Sequence, residues 1–350
     1  MTGRARRREG PTGGLAGPRA QKTVSLALQG GGAHGAFTWG VLDALLEDGR
    51  LGVEAIAGAS AGAMNAVVLV EGWLKGGIDG ARSQLETFWR RASIDGSLSL
   101  VQRRLLSRML GFWSNHSWTN VVAHGLSPYQ TNPLNINPLR DAIEALIDFD
   151  RVRACNDIAL FVSATNVWTG KVAIFKTQEL TADHLMASAC LPTVFQAVEI
   201  NGVPYWDGGY MGNPALFPLI YESVTDDILL VQINPLERRQ TPRTVSEINN
   251  RLNEITFNST LLRELRAVAF VQRLLEEGKF SPDEYKNVHL HRIDASDELD
   301  DHEASSKSKA EWDFFVQLRD AGRRTAQSWL SANYAAIGQR GTFDLHGGLT

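Results

Sequence analysis

Short apolar runs alternate with amphipathic stretches in the first quarter of the chain. Val24 to Leu28 predicts a buried strand, and the apolar stripe after it predicts a helix ending near Gly49, a typical C-cap residue. Val53 to Ala57 predicts a second strand, and Met64 to Leu74 a second helix. Two strand–turn–helix units in tandem predict an α/β fold with a central, mostly parallel sheet flanked by helices.

The same patterns recur further along the chain. Further strands are predicted at residues 158–165, 172–175 and 228–233, and a hairpin at 198–205. The hairpin contains Asn201-Gly202, which favours the positive dihedral angles of a tight turn. His289 and His291 lie two residues apart and predict a strand with a solvated face. Amphipathic periodicity predicts helices at residues 261–275 and 311–330.

Composition separates a short tail from one predicted domain. Residues 1–22 carry six basic side chains, one acidic side chain and almost no large apolar ones. Such a segment cannot bury enough surface to offset its ordering entropy, so we expect a disordered basic tail. Residues 23–350 are expected to form the domain, with a helical insertion at about 84–138 and a helical C-terminal region at about 245–335. The 350-residue chain is 43% hydrophobic, which is enough for a large core.

Charge and cysteine content exclude several classes of protein. The net charge of -4 gives no case for nucleic-acid binding, and only Cys155 and Cys190 occur, too few for a disulfide framework. No apolar stretch follows the N-terminal arginines, as a secretory signal would require. A reducing, cytoplasmic setting fits these features. No cluster of metal ligands is present, no cofactor is implied, and oligomeric state is not indicated.

Residues 103–113 mix three arginines with Leu, Met, Phe and Trp, as interfacial helices do. The segment forms either a lid or membrane-contact helix, or an ordinary amphipathic helix on the core, and the second is the simpler interpretation. Peripheral membrane contact is therefore a secondary expectation.

Gly58-Ala59-Ser60-Ala61-Gly62 lies between the second strand and second helix. It fits a nucleophile elbow, in which a serine stands on a sharp turn and the flanking glycines avoid clashes with backbone. The helix that follows would favour negative charge at that oxygen. The alternative is a tight connection in which Ser60 only caps the helix, and the pattern alone does not decide between them.

Gly30, Gly31, Gly32, Ala33, His34 and Gly35 form a glycine-rich loop after the first strand. Backbone N–H groups without side chains between them could hold the oxyanion of an acyl-transfer intermediate. Gly30, Gly32 and Gly35 also have the spacing of a dinucleotide-binding loop, which would require a carboxylate at the end of the second strand. That strand runs into Ser60 instead, with Glu54 near its start. Downstream, Asp207-Gly208-Gly209 offers a candidate base, although an ordinary Asp-Gly turn would have this sequence too.

Together the glycine loop, the serine elbow, the block at 187–198 and Asp207-Gly208-Gly209 with Asn213-Pro214 resemble the patatin-like phospholipase family. The resemblance spans roughly residues 24–235. It implies a patatin-like three-layer fold and a lipid acyl hydrolase of the phospholipase A or carboxylesterase type. It implies Ser60 as nucleophile and Asp207 as its base, with the glycine loop as oxyanion hole and Gly31 and Gly32 as its chief donors. His34 stands where the family usually has Arg or Lys, so a fixed cation is replaced by a mostly neutral group.

A lipid or ester substrate needs an apolar surface, and Val67, Val68, Leu69, Leu191, Val194 and Phe195 are candidates, although most are more simply core residues. Three rival functions remain at the level of sequence. A Ser-His-Asp esterase would use one of His289, His291, His302 and His346. The others are a dinucleotide-binding protein and a non-catalytic lipid-binding regulator.

Overall fold

A computed structural model describes residues 14–93, 127–238, 241–295 and 311–345. These residues form eight strands and nine α-helices joined by turns. In chain order the elements are β1 (Lys22–Leu28), α1 (Gly35–Asp48), β2 (Leu51–Ala59), α2 (Ala61–Ala92), α3 (Pro128–Thr131), α4 (Pro138–Leu146), α5 (Phe149–Arg153), β3 (Ala159–Asn166), β4 (Val172–Lys176), α6 (Ala182–Ser188), β5 (Val198–Ile200), β6 (Val203–Asp207), α7 (Phe217–Glu222), β7 (Asp227–Gln232), α8 (Val245–Glu276), β8 (His289–Asp294) and α9 (Trp312–Asn333).

One sheet contains all eight described strands. They are hydrogen-bonded in the order β5–β6–β3–β2–β1–β7–β8, and β4 also pairs with β3. The four pairs among β3, β2, β1, β7 and β8 are parallel, whereas β3–β4, β3–β6 and β5–β6 are antiparallel. Every residue of β2 is buried, as expected for a central parallel strand. The predicted α/β class with a mostly parallel sheet is confirmed.

Helices cover both faces of the sheet. On one face, α1, α2 and α9 enclose the larger core, in which Phe37, Trp39 and Phe315 are almost fully buried. On the other face, α7 and α8 pack on the alternate side chains of the same strands. Helices α1 and α9 come into backbone contact, because a Cβ at Gly40 would lie 1.9 Å from the Arg319 carbonyl oxygen. The sheet is therefore the middle of three layers.

Residues 14–22, which the sequence assigned to the disordered tail, are part of the ordered chain. Leu15 is 2% exposed and pairs through its backbone with Val53 of β2. One buried leucine in a Gly- and Pro-rich context carries too weak a pattern to reveal this. The remaining tail residues lie outside the described part.

The predicted insertion at 84–138 is described only at its ends, where α2 continues to Ala92 and α3 precedes α4. The 103–113 segment lies outside the described residues, so its lid or membrane role stays a prediction. The C-terminal region contains the long helices α8 and α9, with β8 between them. Among the described residues, no helix is long and apolar enough to cross a bilayer.

Candidate active site

Ser60 occupies a sharp turn between β2 and α2. Its φ of 50° and ψ of -123° form a conformation that residues with side chains rarely adopt, and one that marks functional sites. Gly58 and Gly62 make the turn possible. A Cβ at Gly58 would lie 2.7 Å from Ala63 N, and one at Gly62 would lie 2.2 Å from the Leu28 carbonyl oxygen. The two glycines therefore allow the strand and helix backbones to approach closely around Ser60.

The Ser60 hydroxyl does not serve as a helix cap. Ser60 is the N-cap residue of α2, yet its side chain makes no capping hydrogen bond. Its backbone N–H donates to Ser188 Oγ at 2.9 Å, and its carbonyl accepts from Met64 N at 3.0 Å. The alternative of a purely structural cap is therefore not supported, and the hydroxyl lies at the positive end of a long helix.

Strand pairing explains how Asp207 reaches Ser60. Strand β4 pairs with β3 along the same residues that pair with β2 and with β6. Because each strand has only two edges, β4 occupies one edge of β3, and β2 and β6 lie one after the other along the opposite edge. Ala59 pairs with Ser163 and Asp207 pairs with Ala164, the next residue. The C-terminal ends of β2 and β6 consequently meet head to head, which places residues 60 and 207 together although 147 positions separate them.

Burial changes the acid–base properties of Asp207. The residue is 1% exposed, and its Oδ1 accepts a hydrogen bond from Gly209 N at 2.7 Å. Burial raises the pKa of Asp207 from 3.8 to about 7, while hydrogen bonding by the Gly209 N–H and the Ser60 hydroxyl opposes this rise. Oδ2 nevertheless has no described partner at full hydrogen-bond geometry. The effect of the Ser60 hydroxyl on the pKa of Asp207 indicates that the two side chains lie close together.

Polar side chains of β3 tie the serine turn to the aspartate turn. Ser163 Oγ lies 3.1 Å from the Gly58 carbonyl oxygen and 2.8 Å from that of Gly212. Thr165 Oγ1 donates to the Asp207 carbonyl at 2.8 Å. Sequence reasoning missed these residues, and their only signal is the interruption of an apolar strand by Ser and Thr. Because they bond to backbone on both sides, they fix the separation of the two catalytic candidates.

The small residues after Asp207 are needed for close packing. A Cβ at Gly208 would lie 2.1 Å from the Ser163 carbonyl oxygen. A Cβ at Gly209 would lie 2.9 Å from the ring of Phe257 in α8. The pair therefore lets the aspartate turn settle between β3 and α8.

The glycine-rich loop packs directly on the serine turn. A Cβ at Gly30 would lie 2.7 Å from both Ser60 Cβ and the Ala59 carbonyl oxygen. Gly32 has a φ of 57°, and Ala33 and His34 are buried in the short 3-10 turn that leads into α1. The loop, the serine and the aspartate thus occupy one region at the carboxyl ends of β1, β2 and β6.

Only part of the loop has N–H groups available for a ligand. The N–H of Gly30 donates to Asn213 Oδ1 at 2.7 Å, that of His34 to the Gly31 carbonyl, and that of Gly35 to the Gly32 carbonyl. Among the described residues, the N–H groups of Gly31, Gly32 and Ala33 donate to no other protein group. The N–H groups that could bind an oxyanion are therefore those in the middle of the loop.

The two histidines of β8 lie far from this region. His291 is fully buried, and its Nε2 is 2.9 Å from Asp227 Oδ1, so the predicted solvated strand face is wrong. The pattern misled because both ring nitrogens of the buried His291 have polar partners, Asp227 of β7 at Nε2 and Thr342 at Nδ1. Three inter-strand spacings separate β2 from β8, or roughly 14 Å. His302 and His346 lie outside the described residues.

Glu54 does not serve a ribose. It is buried near the start of β2, and its Oε1 accepts hydrogen bonds from the backbone N–H groups of Val224 and Thr225. A dinucleotide site would need a carboxylate at the other end of this strand. The dinucleotide interpretation thus lacks its acidic residue.

A small apolar cluster borders Asp207. Leu191 and Phe257 are buried there, with Val194 and Tyr210 packed against them. Val67, Val68 and Leu69 belong instead to the main core. Cys190 is also buried, and burial raises the pKa of its thiol to about 12, so it is a poor nucleophile.

Comparisons with solved structures return distant matches. VipD from Legionella pneumophila is 15% identical, with a TM-score of 0.38 over 87% of this chain and 68% of that one. The ExoU–SpcU complex from Pseudomonas aeruginosa gives 17% identity in two structures. One has a TM-score of 0.32 over 96% of this chain and 79% of that one, and the other 0.29 over 72% and 57%. A comparison with curated proteins finds no significant match.

The family model for patatin-like phospholipase matches residues 26–220, which is more than half of the chain. The matched region contains the glycine loop, the serine turn and the aspartate turn. The chain belongs to the patatin-like phospholipase family.

Proposed function

We propose that this protein is a lipid acyl hydrolase that cleaves fatty-acyl esters with a Ser60–Asp207 dyad. Family membership supports lipid-ester hydrolysis. The observation that carries the dyad is the meeting of β2 and β6, which brings a strained, uncapped serine beside a buried carboxyl group whose pKa is about 7. A base with a pKa near the working pH is the most effective proton acceptor.

In the first step, Ser60 Oγ attacks the ester carbonyl while Asp207 takes the hydroxyl proton. The C–O bond of the tetrahedral intermediate then breaks, and the departing alcohol or lysolipid receives that proton from Asp207. The oxyanion rests against the N–H groups of Gly31 and Gly32 and near the N-terminus of α2. The product of this half-reaction is an acyl-enzyme.

In the second step, Asp207 takes a proton from water, which attacks the acyl-enzyme carbonyl. Collapse of the second intermediate releases the fatty acid, and the proton returns to Ser60 Oγ. No histidine takes part. Burial makes this possible, because a carboxyl group with an ordinary pKa near 3.9 would be a weak base for a hydroxyl.

The acyl chain has a natural place beside the dyad. The apolar cluster of Leu191, Val194, Tyr210 and Phe257 borders Asp207, and Val194 and Tyr210 are only half-buried in it. Burying one methylene group contributes about 0.8 kcal/mol, so a few contacts of this kind favour a lipid chain over a small ester. This surface is the proposed basis for a preference for longer acyl chains.

Labelling by a fluorophosphonate probe tests the proposal. We expect the wild-type protein to be labelled and to hydrolyse a series of p-nitrophenyl esters, with both activities lost in Ser60→Ala. Ser83→Ala, an exposed serine later in α2, is the matched control and should behave as wild type. Asp207→Asn should lose turnover as well. Labelling that persists in Ser60→Ala, or a folded wild-type protein that neither labels nor hydrolyses esters, would refute the proposal.

A further inference from the structure

Four buried amide side chains lie behind the glycine loop. Gln29, Asn213, Asn234 and Asn258 are each at most 3% exposed. Asn234 Nδ2 donates to the Gly30 carbonyl at 2.7 Å, and Asn213 Oδ1 accepts from the Gly30 N–H at 2.7 Å. The two peptide groups on either side of Gly30 are therefore both held by asparagines.

Planarity of the peptide bond connects this contact to catalysis. The Gly30 carbonyl and the Gly31 N–H belong to one trans peptide unit, so they point in opposite directions. Fixing the carbonyl on Asn234 consequently fixes the direction of the Gly31 N–H, a proposed oxyanion donor. A hydrogen bond to the carbonyl also polarises the unit and strengthens its N–H as a donor. A run of three glycines would otherwise be free to rotate this peptide.

Helix α8 holds Asn234 in place through Gln29. Gln29 Oε1 accepts from the backbone N–H groups of Ile233 and Asn234, both at 2.9 Å, and its Nε2 donates to Asn258 Oδ1 at 3.0 Å. Asn258 Nδ2 in turn donates to the Pro235 carbonyl at 3.0 Å.

Each of these side-chain amides forms at least one hydrogen bond with a backbone N–H, which can only donate, or with a backbone carbonyl, which can only accept. The oxygen and nitrogen positions of Gln29, Asn258 and Asn234 are therefore determined by the network itself. A buried network of this kind favours one geometry, since rotating one of these amides would break its hydrogen bonds to the backbone.

We propose that Asn234 is a positioning residue that aims the Gly31 N–H at the oxyanion, and that Asn258 supports it from α8. The inference rests on the proposed function. Both residues lie beyond the segment matched by the family model, residues 26–220. The C-terminal part of the chain thus helps to shape the oxyanion loop through Asn234 and Asn258, neither of which touches the reacting atoms.

Kinetics of Asn234→Ala and Asn258→Ala test the inference. We expect kcat to fall about 10²-fold in Asn234→Ala, since misplacing a group by about 1 Å can cost that much, with KM nearly unchanged. Asn258→Ala should show the same pattern to a smaller extent. Asn132→Ala is the matched control, because Asn132 is also buried and bonds through its side chain to the backbone of Ile136. It should retain wild-type kcat.

A second readout separates positioning from general damage. An oxyanion hole of correct geometry favours an oxygen ester over its thionoester, whose sulfur is larger and a weaker acceptor. The ratio of kcat/KM for p-nitrophenyl butyrate and its thiono analogue should therefore fall in both variants, while the pH of half-maximal kcat/KM stays at its wild-type value. Thermal melting identifies folded variants, and if Asn234→Ala does not fold, Asn258→Ala decides.

Failure of this inference differs from failure of the proposed function. If the wild-type protein is active through Ser60 but the folded variants keep its kcat and its oxygen-to-sulfur ratio, the positioning role is refuted while the dyad stands. If they lose activity with an unchanged ratio, or with a shifted pH profile, the role is also refuted. If activity does not depend on Ser60, the proposed function itself fails.

Discussion

Replacing Asp207 by Asn should make the protein increasingly stable relative to the wild type as the pH rises. Burial of the carboxyl group raises its pKa from 3.8 to about 7, which corresponds to about 4 kcal/mol at 1.36 kcal/mol per pH unit. Between these two pH values the folded state binds more protons than the unfolded state, so stability falls as pH rises. The cost is absent below about pH 4 and complete above about pH 7.

Comparison between two pH values isolates this effect. An Asn at position 207 brings its own cost, because a buried amide without full hydrogen bonding costs about 1–3 kcal/mol, but that cost does not depend on pH. At pH 8 nearly the whole charge penalty is removed by the substitution, whereas at pH 5 more than a third of it applies. The stability of the variant relative to wild type should therefore rise by roughly 2.5 kcal/mol between pH 5 and pH 8.

Denaturant titration at pH 5, 6.5 and 8 measures this difference directly. For a chain of this size it also equals about 3–4 °C in midpoint temperature. Asp283→Asn, an exposed aspartate, controls for the change in net charge and should show no such trend. A relative stability of Asp207→Asn that is constant from pH 5 to pH 8, or that falls with pH, would show that Asp207 is not held in the environment described.

Three further outcomes follow from the same structure. The kcat/KM for ester hydrolysis should rise with pH through an apparent pKa near 7, because only ionised Asp207 can accept the Ser60 proton, and a flat profile from pH 5 to 9 would contradict this. Gly62→Ala should lower the free energy of unfolding by about 1–3 kcal/mol, since its Cβ would lie 2.2 Å from a backbone oxygen. The control Gly76→Ala, whose Cβ would have nothing within 4 Å, should change it by less than about 0.5 kcal/mol, and equal denaturation midpoints for the two variants would contradict this. His291→Ala should cost about 1–3 kcal/mol of stability in urea titrations, because it removes the buried hydrogen bond from the imidazole to Asp227, whose Oδ1 keeps, among the described residues, only the Gly338 N–H as a hydrogen-bond donor at 2.9 Å. The folded variant should keep its esterase activity, and near-complete loss would instead favour a Ser-His-Asp triad.

Local signals in the sequence predicted much of the fold. Gly49 ends α1 with a φ of 70°, and Asn201 and Gly202 both have positive φ in the hairpin turn, as their residue types require. These predictions depend only on the conformations open to one or two residues. The solvated face predicted for β8 is wrong, because burial of His291 depends on Asp227, a residue in another strand.

Order along the chain also predicted which residues could meet, but not why they do. The glycine loop and the serine turn both follow parallel strands, so their proximity at one sheet edge is expected from α/β topology. Asp207 ends an antiparallel strand, and its place is set by the change of partner along β3 from β2 to β6. Pairing between strands leaves no periodic signal in either sequence, so only the family resemblance could indicate Asp207 beforehand.

The amide network behind the glycine loop is the clearest limit of sequence reasoning in this protein. Gln29 follows β1, Asn234 follows β7, and Asn258 lies in the middle of α8, so no spacing relates them. Each alone resembles an ordinary polar residue, and mid-helix asparagine is usually solvated. Their effect arises only when folding removes water from all of them together, because an amide then binds strongly to whichever backbone group it faces. A catalytic loop built from glycine needs such external support, and the support can come from any element that passes close by.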